Sequence, residues 1–458
     1  MQHEPTIFAL ASAPGRAGIA VLRLSGTQTA YIVQRLTRQP LPSPRRAVLR
    51  RLWRPLDSML LDHAMLLWFP APASFTGEDC AELHLHGGRA IVQSVSAALS
   101  GEPHVRLAEP GEFTRRAFMN GKLDLTAAEA VADLIHAETE AQLQQALRQH
   151  DGALARLYAG WAARLTKCLA HLEASIDFAD DDLPPDLAAR QAETINILAT
   201  EISAHLQDER RGERLRDGFR IAILGAPNAG KSSLLNSLAQ RDAAIVSATA
   251  GTTRDVLEVH LDLGGYPVIL ADTAGLRPTA DTVEQEGIRR AWQQAEQADL
   301  KLLVLDGATW PSLDPLSLKL LDDRTFCILN KQDLLPPSTA PAAATLTLAL
   351  PNTTATALPL SLQTGYGMET LLRVLTERVA TALHDRGQPT LTRERHRHAL
   401  QDGLQELRAA ETGLHKGLEM ALVAEHLRRT VRAIGRITGQ VDVEAVLDAI
   451  FRDFCIGK

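Results

Sequence analysis

The chain has 458 residues, 45% of them hydrophobic, and a formal net charge of −7. That length allows two to four domains with sizeable cores, and the charge gives no global case for nucleic-acid binding, so any such contact needs a local basic patch. No apolar run approaches ~18 residues, which argues against a membrane-spanning helix, the start lacks the pattern of a secretory signal, and four scattered cysteines (Cys80, Cys168, Cys327, Cys455) fit a reduced compartment without structural disulfides.

Residues 1–121 read as a compact α+β domain, with strands over 6–12, 18–24, 47–53, 63–69 and 81–86 and helices over 27–37 and 89–99. Three polar clusters interrupt it: SFTGED (74–79), ELHLHGG (82–88) and EPGEFTRRAFMNGKLDL (109–125). Glu82, His84 and His86 alternate and so share one strand face. No third metal ligand accompanies the histidines, so a structural or solvated role is the default, while Glu82 can hold the N–H groups of a polar ligand.

Residues 122–217 read as the first part of a helical domain. Thr126-Ala-Ala-Glu129 is a capping-box pattern, which places a helix start at Thr126. Leu154, Leu157, Trp161, Leu165, Leu169, Leu172 and Ile176 recur at helical spacing and predict one apolar stripe. A break follows at 180–185, then a helix over 187–206, then a charge-mixed linker over 208–218.

Residues 218–382 carry the most specific signals. GAPNAGKSS (225–233) fits the phosphate-loop pattern and lies between a strand-like run (219–224) and a helix-like one. Its glycines let backbone N–H groups turn onto phosphate, Lys231 would reach the β- and γ-phosphates, and the Ser232 hydroxyl would ligate Mg²⁺. AIVSATAGTTRD (244–255) supplies a switch-like Thr pair. Strands over 257–263 and 266–271 are joined by Gly264-Gly265, a hairpin signal, and the second ends in DTAG (272–275). Further strands over 300–306 and 325–329 follow, and the latter runs into NKQD (330–333). That tetrapeptide reads guanine: Asp333 accepts from the ring N–H and the exocyclic amine, which adenine cannot match, Asn330 meets the other edge, and the Lys331 stem packs over the ring. After a strand over 357–360, Ser361-Leu362-Gln363 takes the place of the loop that touches the guanine carbonyl. Leu276 stands where Ras-like enzymes carry the water-orienting glutamine, so hydrolysis must borrow a polar group from elsewhere in the chain or from a partner.

Residues 383–458 return to helical periodicity through Leu404, Leu407, Leu414, Leu418, Leu422, Val431 and Ile434. Basic residues crowd 384–398 and 427–436, with a solvated helix face as the default reading. The apolar ending FCIGK suggests a tail docked within the protein.

Taken together, PGRAGIAVLRLSG, SFTGEDCAELHLHGG, AEPGEFTRRAFMNGKLDLTAAEAVADLI, GAPNAGKSSLLN, AGTTRD, DTAGLR, NKQD and the terminal FCIGK closely resemble the tRNA modification GTPase family MnmE (TrmE), over nearly the full length. The resemblance implies a multidomain chain: an α+β folate-binding-like domain (1–121) that forms a homodimer, an all-α helical domain in two parts (122–217 and 383–458), and an inserted α/β P-loop, Ras-like G domain (218–382). It implies GTP contacts from Asn228, Ala229, Gly230, Lys231, Ser232 and Ser233, from Ser247, Ala248, Thr249, Ala250, Gly251, Thr252 and Thr253, from Asp272, Thr273, Ala274 and Gly275, and from Asn330, Lys331, Asp333, Ser361, Leu362 and Gln363. K⁺ would be held by Asn228, Ser247, Thr249 and Thr252, and Mg²⁺ by Ser232 and Thr253, while Glu284 would position the attacking water. Arg23, Glu82, Lys122 and Lys458 resemble contacts to a 5-formyl- or methylene-tetrahydrofolate, and Cys455 has either a chemical or a packing role. The family's activity would be formation, with the flavoprotein MnmG, of the 5-aminomethyl or 5-carboxymethylaminomethyl group on the wobble uridine of certain tRNAs, in the cytoplasm. A GTP-gated RNA or ribosome assembly factor is the alternative, and it lacks a use for Glu82, Lys122 and Lys458.

Overall fold

The computed structural model describes residues 4–177, 187–240, 257–272, 295–310, 321–335, 346–350, 353–384, 387–441, 447, 450–452 and 454–457. The chain divides into two compact units, one of residues 1–132, 149–199 and 399–458, the other of residues 133–148 and 200–398.

The first unit holds a six-stranded sheet of β1 (Thr6–Leu10), β2 (Ile19–Ser25), β3 (Val48–Trp53), β4 (Leu60–Phe69), β5 (Cys80–His86) and β6 (Val105–Leu107), in the order β3-β4-β5-β2-β1-β6. Every pair is antiparallel except β1 with β6. Period-two alternation decides the faces. On β5, Ala81, Leu83 and Leu85 are buried in one core with Phe8, Leu22 and Leu24, where α1 (Thr29–Thr37) adds Ile32, Val33 and Leu36 and α2 (Arg89–Ser100) adds Val95 and Leu99. Glu82 and His84 are left on the other face, as the alternation predicts.

The third polar cluster is not loop throughout. It contains α3 (Glu112–Met119), entered through Gly111 at φ +67°, where a Cβ would lie 2.8 Å from the Phe451 carbonyl oxygen. The next helix, α4 (Leu125–His136), begins one residue before Thr126. Its cap is Asp124, whose Oδ1 accepts from the Thr126 and Ala127 amides and from the Thr126 hydroxyl. The capping box therefore places the start within one residue but the cap two residues late, because an Asp two positions upstream outcompetes Thr for the free amides. After α5 (Glu140–His150) comes α6 (Ala153–Asp177), which buries Leu154, Tyr158, Trp161, Leu165, Cys168 and Leu172. Leu157 and Leu169 are only half-buried and Ile176 is exposed, so the stripe is rotated from the predicted one. The helix α7 (Leu187–Leu206) has the predicted bounds.

The expected linker over 208–218 is instead a helix, α8 (Arg211–Asp217), with Glu213 buried. Its anchor is Arg397, which donates to Asp208 (2.7 Å), Glu213 (3.0 Å) and the Leu206 carbonyl (2.9 Å). Arg397 is itself buried, so this part of the basic 384–398 segment is an internal brace and not a solvated face.

The second unit is built on a seven-stranded sheet of β7 (Phe219–Leu224), β8 (Leu257–Leu263), β9 (Tyr266–Asp272), β10 (Leu300–Asp306), β11 (Thr325–Asn330), β12 (Leu346–Leu350) and β13 (Thr353–Pro359). The order is β12-β13-β11-β10-β7-β9-β8; the central pairs are parallel, and β8 and β12 are antiparallel edges. The strand β12 escapes the sequence reading. The helices α9 (Lys231–Ala239) and α10 (Met368–Leu383) bury Leu234, Leu238, Leu371, Leu375 and Val379 against β7, β10 and β11. The Gly264-Gly265 turn has φ of +62° and +87°, the left-handed pair a two-residue hairpin needs.

Two further helices, α11 (Glu394–Lys416) and α12 (Met420–Thr438), follow. Within the first unit α12 packs along α6. Leu418 and Leu422 are 46% and 52% exposed, because the chain turns at Gly417 and breaks the predicted stripe there. The tail is docked: Phe451 and Phe454 pack with Leu125 and Ala128, and Ile456 bridges to Pro110.

Candidate nucleotide site and a second polar site

The parallel strands β7, β9, β10, β11 and β13 all end at one edge of the second unit's sheet, and the motif residues follow those ends, the place where open α/β sheets bind ligands. After β7 the chain turns through Gly225 (φ +142°), Asn228 (φ +64°) and Gly230 (φ +103°) into α9. A Cβ on Gly225 would lie 2.3 Å from the Val304 carbonyl oxygen, and one on Gly230 would lie 2.2 Å from Asn330 Nδ2. Only glycine serves at either place. Lys231 Nζ donates to the Gly225 and Ala226 carbonyls at 2.9 and 2.8 Å, closing over the loop that would cradle phosphate. Ser232 and Ser233 are exposed at the helix start, as is Asn228, while Ala229 is buried.

The guanine-reading segment is braced to this loop. Asn330 is 3% exposed; its Nδ2 donates to the Ala229 carbonyl (2.9 Å) and its Oδ1 accepts from the Leu362 amide (3.3 Å). One side chain thus ties together the phosphate loop, NKQD and the Ser361–Gln363 loop. Lys331 sits at φ +60° with its Nζ 2.7 Å from Asp306 Oδ2 at the end of β10. Asp306 is a site residue that the sequence reading missed; its place at a strand end, like Asp272, is the signal that was there. Asp333 is exposed, and one carboxylate oxygen accepts from the buried Ser361 hydroxyl. The role of Ser361 is therefore to aim Asp333. Asp272 lies at the end of β9, in register with Ile223 of β7.

Ser247, Ala248, Thr249, Ala250, Gly251, Thr252, Thr253, Thr273, Ala274, Gly275, Leu276, Glu284 and Lys458 lie outside the described residues.

The second polar site lies on the first unit's sheet. Arg23 on β2 is directly across from Glu82 on β5 and forks onto its Oε1 through Nε (3.2 Å) and Nη2 (3.0 Å). Glu82 Oε2 is 3.3 Å from His84 Nε2, and His86 Nδ1 is 2.7 Å from Asp62. Both histidines are thus committed to carboxylates, and no cluster able to hold a metal occurs among the described residues. The rings of Phe75 and Phe113 lie 5.7 and 5.9 Å from the Arg23 guanidinium. Lys122 Nζ donates to the Pro72 carbonyl (3.0 Å) and its stem packs 3.3 Å from where a Gly77 Cβ would be. The segment 72–77 therefore brings Phe75 to Arg23 and Lys122 to its own backbone.

What fixes that segment is a buried ion network the sequence reading did not assemble. Arg116, 4% exposed, reaches Glu78 (3.1 Å) and Glu112 (2.9 Å); Arg106 forks onto Glu112 (2.6 and 2.7 Å). Ser25 donates to Glu78 (2.7 Å), and Asn120 donates to the Thr76 carbonyl (2.7 Å). Burial raises the Glu112 carboxyl, but the hydrogen bonds from Arg106, the Glu109 amide and Arg116 outweigh it and hold the group below the usual carboxylate range. Cys455 is exposed, and its carbonyl accepts from the Gly111 amide.

Fold and site define a P-loop GTPase: a phosphate loop between strand and helix, and an N-K-x-D guanine reader held to it by hydrogen bonds. The model "GTP-binding protein TrmE N-terminus" matches residues 6–122, and "MnmE helical domain" matches residues 125–455. The tRNA modification GTPase MnmE of Paramagnetospirillum magneticum is 55% identical over 453 residues, covering 99% of each chain. That of Parvibaculum lavamentivorans is 53% identical over 99% of this chain and 100% of its own. The mitochondrial 5-taurinomethyluridine-[tRNA] synthase subunit GTPB3 of Danio rerio is 50% identical over 99% and 93%. Among solved structures, the G domain of the T. maritima FeoB iron transporter aligns with 35% of this chain at 21% identity and a TM-score of 0.23, which adds nothing to what the strand order shows. The chain belongs to the MnmE (TrmE) family of tRNA modification GTPases. No helix among the described residues is long and apolar enough to cross a membrane.

Proposed function

We propose that this GTPase is potassium-activated and works in the cytoplasm as a homodimer with the flavoprotein MnmG. Its product would be the 5-aminomethyl or 5-carboxymethylaminomethyl group on the wobble uridine of certain tRNAs, built with a one-carbon unit from a tetrahydrofolate. The observation that carries the folate part is the grouping of the Arg23–Glu82 pair, the 38%-exposed Phe75 ring and Lys122 around one segment of chain. A folate has the matching chemistry: a flat heteroaromatic ring with N–H donors for Glu82 and Phe75, and a carboxylate tail for lysine. Lys458 would join Lys122, because the docked tail brings Ile456 to Pro110, beside the start of α3. The exposed Cys455 thiol contributes nothing to core packing, which favours its chemical role.

In the G domain, Asp333 accepts from guanine while Ser361 keeps it aimed, and Asn330 holds the two loops at fixed distance. Lys231 would exchange the Gly225 and Ala226 carbonyls for phosphate oxygens. The Ser232 hydroxyl at the helix start, with Thr253, suits a hard cation such as Mg²⁺. Asn228 is exposed at positive φ, and its side-chain oxygen suits K⁺ beside Ser247, Thr249 and Thr252. Bound K⁺ would supply fixed positive charge toward the phosphates during hydrolysis. Glu284 would orient the attacking water that Leu276 cannot.

Calorimetry with 5-formyl-tetrahydrofolate should show binding that Lys122→Ala or deletion of Lys458 weakens at least ~10-fold, the worth of one charge-assisted contact; no binding to the intact chain would favour an assembly factor. GTP turnover should be well above the Na⁺ rate in K⁺. Asn228→Ala should remove that stimulation, and Glu284→Ala should lower turnover ~10²-fold with GTP affinity kept. Equal rates in both salts would count against the K⁺ site.

A further inference from the structure

Between Glu4 and Asp57 the sequence carries nine arginines, no lysine and no acidic residue, in a chain whose net charge is −7. Some of these arginines have carboxylate partners: Arg23 has Glu82, Arg35 has Glu102 and Arg54 has Asp57. Among the described residues the other six have none, and the fold collects four of them, Arg45, Arg46, Arg50 and Arg51, along one border. β3 is the edge strand of the six-stranded sheet, with Arg50 and Arg51 on it and Arg45 and Arg46 immediately before it. Arg45 and Arg50 donate only to the backbone carbonyls of Ala73 and Leu49, and the Arg50 Nε is buried with no hydrogen-bond partner. Arg46 and Arg51 are exposed. Across the ladder Arg50 faces Ala64 and Arg51 faces His63, so β4 supplies no countercharge opposite them.

A single charge suffices to stop an edge strand from pairing with another chain. A run of four without a counter-ion costs self-repulsion, and a polyanionic partner offsets it. Guanidinium, with its planar fork, suits phosphate. At ~3.3 Å per residue the border from Arg46 to Arg51 is roughly 17 Å long, enough to follow several backbone phosphates. It also leads somewhere. Arg45 binds the carbonyl of Ala73, and Lys122 binds that of the preceding Pro72, so one end of the border meets the second polar site.

We propose that the β3 edge, through Arg45, Arg46, Arg50 and Arg51, holds the ribose-phosphate backbone of tRNA and leads it toward the Arg23–Glu82–Lys122 site. This rests on the reading that the chain acts on tRNA. The test is fluorescence anisotropy of an unmodified tRNA transcript, with uridine at the wobble position, titrated with the full chain over a range of salt. Arg46→Ala/Arg51→Ala should bind at least ~10-fold more weakly at ~0.1 M salt, and its slope of log affinity against log salt should be shallower by about 1.4–1.8, for two lost phosphate contacts. Arg46→Lys/Arg51→Lys should keep the slope. GTP turnover of both variants should match the parent, since the nucleotide site belongs to the other unit. Unchanged affinity and slope would overturn the proposal. So would intact tRNA affinity with an altered oligomeric state by light scattering, which would make the border a protein interface. Analysis of the wobble nucleoside in cells lacking the chain tests the function separately, so that failure there is distinguishable from failure of this surface.

Discussion

Asp333→Asn is expected to weaken GTP binding by two orders of magnitude or more and to open the site to xanthosine triphosphate. In the proposed role the carboxylate would accept twice from guanine, at about 1.5–3 kcal/mol for each hydrogen bond to a charged group. An amide can accept only on one side and turns a donor toward the guanine amine, where nothing accepts it. Xanthine carries a carbonyl at that place and restores the match. The change should be well tolerated by the fold, because Asp333 is exposed and the Ser361 hydroxyl can still donate to the amide oxygen. Titration with fluorescent GTP and XTP analogues reads both arms. GTP affinity unchanged by the substitution would mean that NKQD is not the base reader.

Arg116→Ala carries the largest expected effect on stability. The guanidinium is buried and holds Glu78 and Glu112 from two different segments. Its removal leaves two carboxylates without their shared cation, and breaking a buried pair in this way costs about 3–5 kcal/mol. The chemical-denaturation midpoint should fall accordingly. The proposed formyl-tetrahydrofolate binding should weaken too, since Glu78 helps to hold the segment bearing Phe75. The same network sets an acid limit. The Glu112 carboxyl is held below its ordinary value in the folded chain. Its contribution is therefore complete above the usual carboxylate range and is lost as pH falls through the depressed folded value. Arg106→Ala should reduce that acid-dependent loss, because its fork is the largest of the contacts that lower Glu112. A stability change below ~1 kcal/mol in Arg116→Ala would show the network to be incidental.

The nucleotide site was legible because its chemistry sits in contiguous stretches, each at the end of an apolar run. Local sequence fixes the residue types, and the parallel sheet brings the ends to one edge without further instruction. The Asn330 brace was partly legible, as an Asn in NKQD, but its hold on Ala229 depends on how β7 and β11 flank β10. The Arg116 network was not legible, because its members come from 78, 106, 112 and 116 and meet only after the sheet and α3 have formed. The helix α8 was hidden for a related reason. Its charged composition reads as a linker until Arg397, far along the chain, neutralises Glu213 and Asp208. On α6, leucines at 157 and 169 are as hydrophobic as those buried, and only tertiary packing selects the face with Tyr158 and Cys168, where α7 brings the Gln191 carbonyl to the Cys168 thiol. Burial there pushes the Cys168 thiol up to about 11, which leaves it inert and gives it a packing role.

The central claim is that the GTP site and the N-terminal polar site serve one modification of tRNA. Mass spectrometry of wobble nucleosides in tRNA from cells lacking this chain tests it most directly. The 5-aminomethyl and 5-carboxymethylaminomethyl uridines should vanish, and should return with the intact chain but not with Asp333→Asn. Wobble uridines that keep their C5 groups without the chain would contradict it.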